Sequence, residues 1–171
     1  SGSSQGNPTN PQDKHIVHWA CESQIDQVRS ENDFFDHIPY CAPGDTLIMS
    51  ILFPQCWDGV NLDSSNHKSH LIHPTDNTCP TSHPVPLPSI TYGFDWPVNA
   101  PNGTNGWHLS SDAYDYQTES GGYSLHGDWF MAWDNDIMRA FVTHCINAGR
   151  DCSNGNLGNG TQLTSSNPAP T

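Results

Sequence analysis

Basic side chains are nearly missing from this chain. Five Lys and Arg stand against eighteen Asp and Glu, a formal charge of −13. A surface that tracks phosphates needs clustered Lys and Arg, so nucleic acid is excluded as a partner. Long apolar runs are missing as well. The longest runs from Leu47 to Phe53 and contains Ser50, far short of the roughly twenty residues a membrane-crossing helix needs, so no membrane span is expected. The sequence also has no Walker loop, His-Glu-x-x-His or Cys-x-x-Cys, which removes several familiar nucleotide, zinc-protease and thiol-redox chemistries. Glutamate is scarce too, three residues against fifteen Asp. In a loop-rich chain most aspartates serve turns and helix caps.

What is present is turn-forming and cross-linkable. Gly and Pro contribute fourteen residues each while apolar types reach only 34%, so the core is modest and covalent staples carry weight. Six cysteines in an acidic chain point to an oxidising, extracellular, secreted setting. Two sequons agree, Asn102-Gly103-Thr104 and Asn159-Gly160-Thr161, each an acceptor for an N-linked glycan in a polar turn. Cys145 and Cys152 flank a glycine turn at Gly149 and are expected to pair across it. Cys21 with Cys41 and Cys56 with Cys79 are the pairs chosen among the remaining connectivities.

The chain of 171 residues fits one domain. Residues 1–14 and 158–171 are rich in Ser, Thr, Asn, Pro and Gly and read as polar linker-like segments flanking a single β-rich domain over 15–157. Strand signals lie at residues 15–21, 46–53, 83–96 and 122–130, the third confined to an edge at its start by Pro84, Pro86 and Pro88. One helix is expected after Asp134 or Asn135, with an apolar stripe of Ile137, Met138, Phe141, Val142 and Cys145 and an end at Gly149. Short strands separated by long loops predict a mostly-β, antiparallel sandwich of jelly-roll type with disulfides and one C-terminal helix.

The densest chemistry lies between Cys56 and His83. His67, His70 and His83 carry imidazoles in a polar loop and are the candidate ligands of a divalent metal ion, although no cofactor is required by anything in the sequence. The competing reading has these rings bonding loop backbone. Leu125-His126-Gly127-Asp128 places an imidazole two residues from a carboxylate, so His126 and Asp128 are candidates for proton transfer. Asp58 and Asp63 add carboxylates of the sort used in glycoside hydrolysis. Trp57 and Trp129, set in turn-rich stretches, are candidate sugar-stacking platforms beside the plainer reading of aromatic caps over a small core.

Phe53-Pro-Gln-Cys-Trp-Asp-Gly through Asn66-His-Lys-Ser-His70, Cys79-Pro-Thr-Ser-His-Pro84, and Leu125-His-Gly-Asp128 followed by Trp133-Asp134 and a helix together resemble the secreted fungal and bacterial family called domain of unknown function 1996. The resemblance runs from about Cys41 to Cys145. Members of that family usually carry a long N-terminal half with its own histidine-glycine motif, and residues 1–40 hold no counterpart, so the resemblance implies a C-terminal half. It also implies His67, His70, His83 and His126 as site positions.

Two functions follow. The preferred one is a secreted, disulfide-stabilised, glycosylated structural domain that self-associates into a fibre or surface layer, a terminal segment packing on a neighbouring copy. The alternative is a metal-dependent protein that binds or cleaves a polysaccharide through the histidine cluster.

Overall fold

The computed structural model describes residues 13–23, 33–112, 121–130 and 132–164. The outer parts of the two polar segments, residues 1–12 and 165–171, lie outside these. The described residues divide into two compact units, one ending at Asp128 and the other beginning at Trp129.

The first unit holds every strand. β1 (Val17–Glu22), β2 (Thr46–Leu52) and β6 (Thr91–Pro97) form an antiparallel sheet in the order β1-β2-β6. β2 is central because its apolar, partly β-branched residues can be covered on both faces. Leu47, Ile48, Met49 and Ile51 are all buried. The register sets Trp19 opposite Met49 and Met49 opposite Phe94, with Cys21, Leu47 and Trp96 in the next row. Side chains alternate along a strand, so these two rows share one face. The outer edge of β1 is bridged by Phe35, which exchanges backbone hydrogen bonds with Trp19 at 2.8 and 2.9 Å.

A second, smaller antiparallel sheet joins β3 (Cys56–Trp57), β4 (Leu71–Ile72) and β5 (Val85–Pro86) in the order β4-β3-β5. Pro86 sits on an edge strand, where a missing N–H costs no ladder bond. Cys56–Cys79 staples this sheet, Cys21–Cys41 joins the end of β1 to the loop before β2, and Cys145–Cys152 closes the second unit. All three are the expected pairs, and the expected mostly-β antiparallel class with one C-terminal helix is the fold adopted.

Residues 122–130 differ from expectation. They form no strand. Two of their backbone donors are taken by a side chain instead, since the Asp112 carboxylate accepts the amides of Gly122 at 2.7 Å and Ser124 at 3.0 Å. Gly122 holds φ +99°, and a Cβ there would lie 2.6 Å from Ile38 Cγ1, so neither the conformation nor the space admits a side chain.

In the second unit α1 (Asn135–Phe141) begins as expected. The Asp134 side chain accepts the amides of Asp136 and Ile137, and Asp136 lies in the first turn, where the helix dipole favours a carboxylate. The helix then widens into a π turn over Val142–Ile146, and Gly149, at φ +59°, ends it. Cys145 is buried in that turn. Residues 158–163 double back, with the Leu157 amide donating to Thr161 O at 3.0 Å and the Leu163 amide to Gly155 O at 2.8 Å. Among the described residues no helix is long and apolar enough to cross a membrane.

Candidate functional site

The histidine segment folds as a self-bonded loop. Asp58 initiates it, accepting the amides of Val60 and Asn61 at 2.9 Å each and the Asn61 side-chain amide at 2.7 Å. These donors, led by Val60 N–H, pull its carboxyl down to about 2, because they stabilise only the charged form. Trp57 Nε1–H donates to Asn61 O at 2.6 Å, so this indole serves the same turn. Asn66 Oδ1 accepts the amides of Lys68 and Ser69 and the Ser64 hydroxyl. With its proton so used, Ser64 Oγ accepts from His70 Nδ1–H at 3.0 Å, and His70 is only 9% exposed.

The other two rings are bonded to different partners in the same loop. His67 Nδ1–H faces the Asp63 carboxylate at 2.8 and 3.0 Å. The Ser64 amide and then this imidazole hold the Asp63 carboxyl below its ordinary value. His83 Nε2–H donates to Ser69 O at 3.0 Å, which assigns Nδ1 as acceptor for the Ser82 hydroxyl at 3.0 Å. Both nitrogens of His83 are therefore occupied, and His67, His70 and His83 are held by different partners. Among the described residues, no group of three or more His, Cys, Asp or Glu side chains is placed to hold a metal ion.

His126 Nδ1–H donates to the Ser124 carbonyl at 2.9 Å. Asp128 is exposed, and its backbone carbonyl accepts the Tyr92 hydroxyl at 3.1 Å. Trp129 packs edge-on against Trp133 with ring centroids 5.2 Å apart, a pairing that uses ring area otherwise available for stacking. Asn102 and Asn159 are both exposed, but their sequons differ. Thr104 is 4% exposed, and its hydroxyl accepts the Cys41 amide at 2.8 Å and donates to Pro39 O at 2.6 Å. In the other, Asn159 Oδ1 accepts the Thr161 amide at 2.9 Å and Thr161 is exposed.

Two features were not singled out by sequence reasoning. The first is an aromatic row along β6, where Tyr92, Phe94 and Trp96 project from one face at alternate positions. Phe94 and Trp96 lie near-parallel with centroids 5.8 Å apart, and they remain 50% and 39% exposed. The alternation of aromatics over residues 92–96 was its signal. The second is a cleft of about 450 Å³ beside the end of that row, bounded by buried Trp19, Ile38 and Leu47 and by the more accessible Trp96, Trp107 and His108. Asp112 anchors the loop that carries Trp107 and His108. Its carboxylate accepts Leu109 N–H at 2.8 Å and the Ser124 hydroxyl at 2.6 Å besides the two amides named above.

Fold and loop chemistry thus define a disulfide-stapled, mostly-β domain whose histidine motif folds as a hydrogen-bonded loop and whose exposed aromatic surface lies on an edge strand. The chain belongs to the family named domain of unknown function 1996, whose profile matches residues 1–133. The match begins at the N-terminus and stops before α1, so residues 1–40 lie inside the matched region and the helix lies outside it, unlike the 41–145 span that the motifs marked. No curated protein and no solved structure matches the chain.

Proposed function

We propose that this chain is a non-catalytic extracellular domain that self-associates through the outer edge of β6, building a fibre or surface layer from repeated copies. The observation that carries the reading is the state of that edge. Among the described residues, no strand pairs with it, although the edge of β1 on the other side of the same sheet is bridged by Phe35. A strand edge presents backbone donors and acceptors that a second chain can complete. Here it also carries Phe94 and Trp96, exposed at 50% and 39%, whose burial would add apolar area to the backbone bonds.

The remaining parts agree with an extracellular scaffold. Three disulfides suit an oxidising compartment, and Asn102 and Asn159 are exposed for glycans. The polar terminal segments supply the strand or cover that meets a neighbour's edge. Light scattering across a concentration series tests the proposal on the unaltered protein and on Phe94→Lys, which sets a charge on the edge without touching the core. Concentration-dependent growth in mass that Phe94→Lys abolishes supports it. A mass that stays monomeric throughout, or growth indifferent to Phe94→Lys, overturns it.

A further inference from the structure

We infer that the cleft bounded by Trp96, Trp107 and His108 is a binding subsite for an uncharged sugar ring. Its size, about 450 Å³, falls within the range of small-molecule sites, which are apolar and aromatic with a few polar groups. Three of the six tryptophans of the chain converge on it, Trp19, Trp96 and Trp107. Trp19 spends its indole N–H on Gly122 O at 3.1 Å and is 1% exposed, so it is a wall. Trp96 is 39% exposed and Trp107 is half-buried, so these two offer ring area to a ligand.

Charge selects the ligand class. Eighteen acidic residues stand in the sequence, yet among the described residues no Asp, Glu, Lys or Arg borders the cleft. An anionic ligand would meet a protein of charge −13 with no cation among the described lining residues to offset the repulsion. A cationic ligand would find no carboxylate among the same described residues to pair with. What remains is an uncharged ligand that can lie flat on an indole. A pyranose does so, setting its C–H face on the ring while its hydroxyls stay in water at the mouth beside exposed His108. The aromatic row extends the same surface, since ring centroids step from Trp19 to Trp96 at 6.1 Å, to Phe94 at 5.8 Å and to Tyr92 at 6.5 Å. A chain of linked sugars has a track to follow beyond the first ring.

The subsite shares Trp96 with the self-association surface, but Trp107 and His108 lie outside that surface, so Trp107→Ala, followed by light scattering as well as by binding, lets either reading fail alone. Titrating the purified full chain with cellohexaose, laminarihexaose and chitohexaose, while following tryptophan fluorescence, is the test. Polygalacturonate serves as the anionic control. Saturable change with at least one neutral oligosaccharide is expected, weakened tenfold or more in Trp107→Ala and in Trp96→Ala, and absent with polygalacturonate. Saturation-transfer NMR on the unaltered protein, with magnetisation passing from aromatic protons to sugar C–H protons, gives the same answer where a variant folds poorly. The inference is overturned if no neutral oligosaccharide binds, if folded Trp107→Ala and Trp96→Ala bind as tightly as the unaltered chain, or if polygalacturonate binds as well as the neutral sugars.

Discussion

The Asp112 carboxylate holds the Gly122 amide at 2.7 Å across ten residues of chain, and with it the loop that frames the cleft. Burial works against the charge of this carboxylate. Hydrogen bonds from Ser124, Gly122 and Leu109 outweigh that, and its pKa falls below the ordinary 3.8. A carboxylate lowered on folding binds fewer protons in the native state, so its stabilisation is fully present above about 3.8 and is lost as pH falls through the lower native value. Asp112→Asn places an amide donor among donors and is expected to cost about 1–3 kcal/mol at neutral pH. Denaturant unfolding should show this gap between variant and unaltered protein closing as the solution is made strongly acidic.

Thr104 is expected to matter more to the fold than to glycosylation. Thr104→Val keeps the side-chain shape but leaves the Cys41 amide and Pro39 carbonyl without their partner, at a cost of about 1–3 kcal/mol. Asn102→Gln removes the same sequon and touches neither bond. With both proteins deglycosylated, thermal unfolding should place the Asn102 variant near the unaltered chain and the Thr104 variant well below it.

The elements whose signals are local were legible in the sequence. β2 is a β-branched apolar run, Asp134 is a cap beside a periodic stripe, and the three disulfides join cysteines within one supersecondary unit each. The aromatic-rich stretch 122–130 misled because its strand propensity was overridden by one side chain: Asp112 takes the amides a ladder would have used. The histidine segment was read correctly as a loop, but metal-like spacing cannot reveal that Ser64, Asp63 and Ser69 each take a different ring. The cleft was hidden for another reason. Its walls come from β1, Ile38 in the loop before β2, β2, β6 and the 106–109 loop, and only the sheet register brings Trp19, Leu47 and Trp96 to one face.

If the histidine motif is a folded turn, its members should separate in mutational cost. His67 is bonded to Asp63 at the surface, with 75% of its side chain exposed, and His67→Ala should change stability by no more than about 0.5 kcal/mol. His70 is 9% exposed and bonded to Ser64, and His70→Ala should cost about 1–2 kcal/mol. Adding a chelator should leave the unfolding temperature of the unaltered protein in place. Equal losses from the two variants, together with a zinc-dependent rise in unfolding temperature, would contradict this and restore the metal reading.

His73 supplies a pH dependence in a different window. It follows β4, is half-buried, and its Nδ1 has no hydrogen-bond partner among the described residues. Desolvation lowers its pKa below 6.5 against a weaker opposing pull from the Asp13 carboxylate. The native state therefore resists protonation that the unfolded chain accepts, so stability is intact above about 6.5 and declines as pH falls through the lower native value. His73→Leu removes both the unpaired nitrogen and the titration. It is expected to be neutral or to stabilise by about 1 kcal/mol, since deleting an unsatisfied buried polar atom removes its desolvation cost. The diagnostic readout is the slope of unfolding free energy against pH just below neutrality, which should be shallower in His73→Leu than in the unaltered protein. An unchanged slope would assign the pH dependence to other groups.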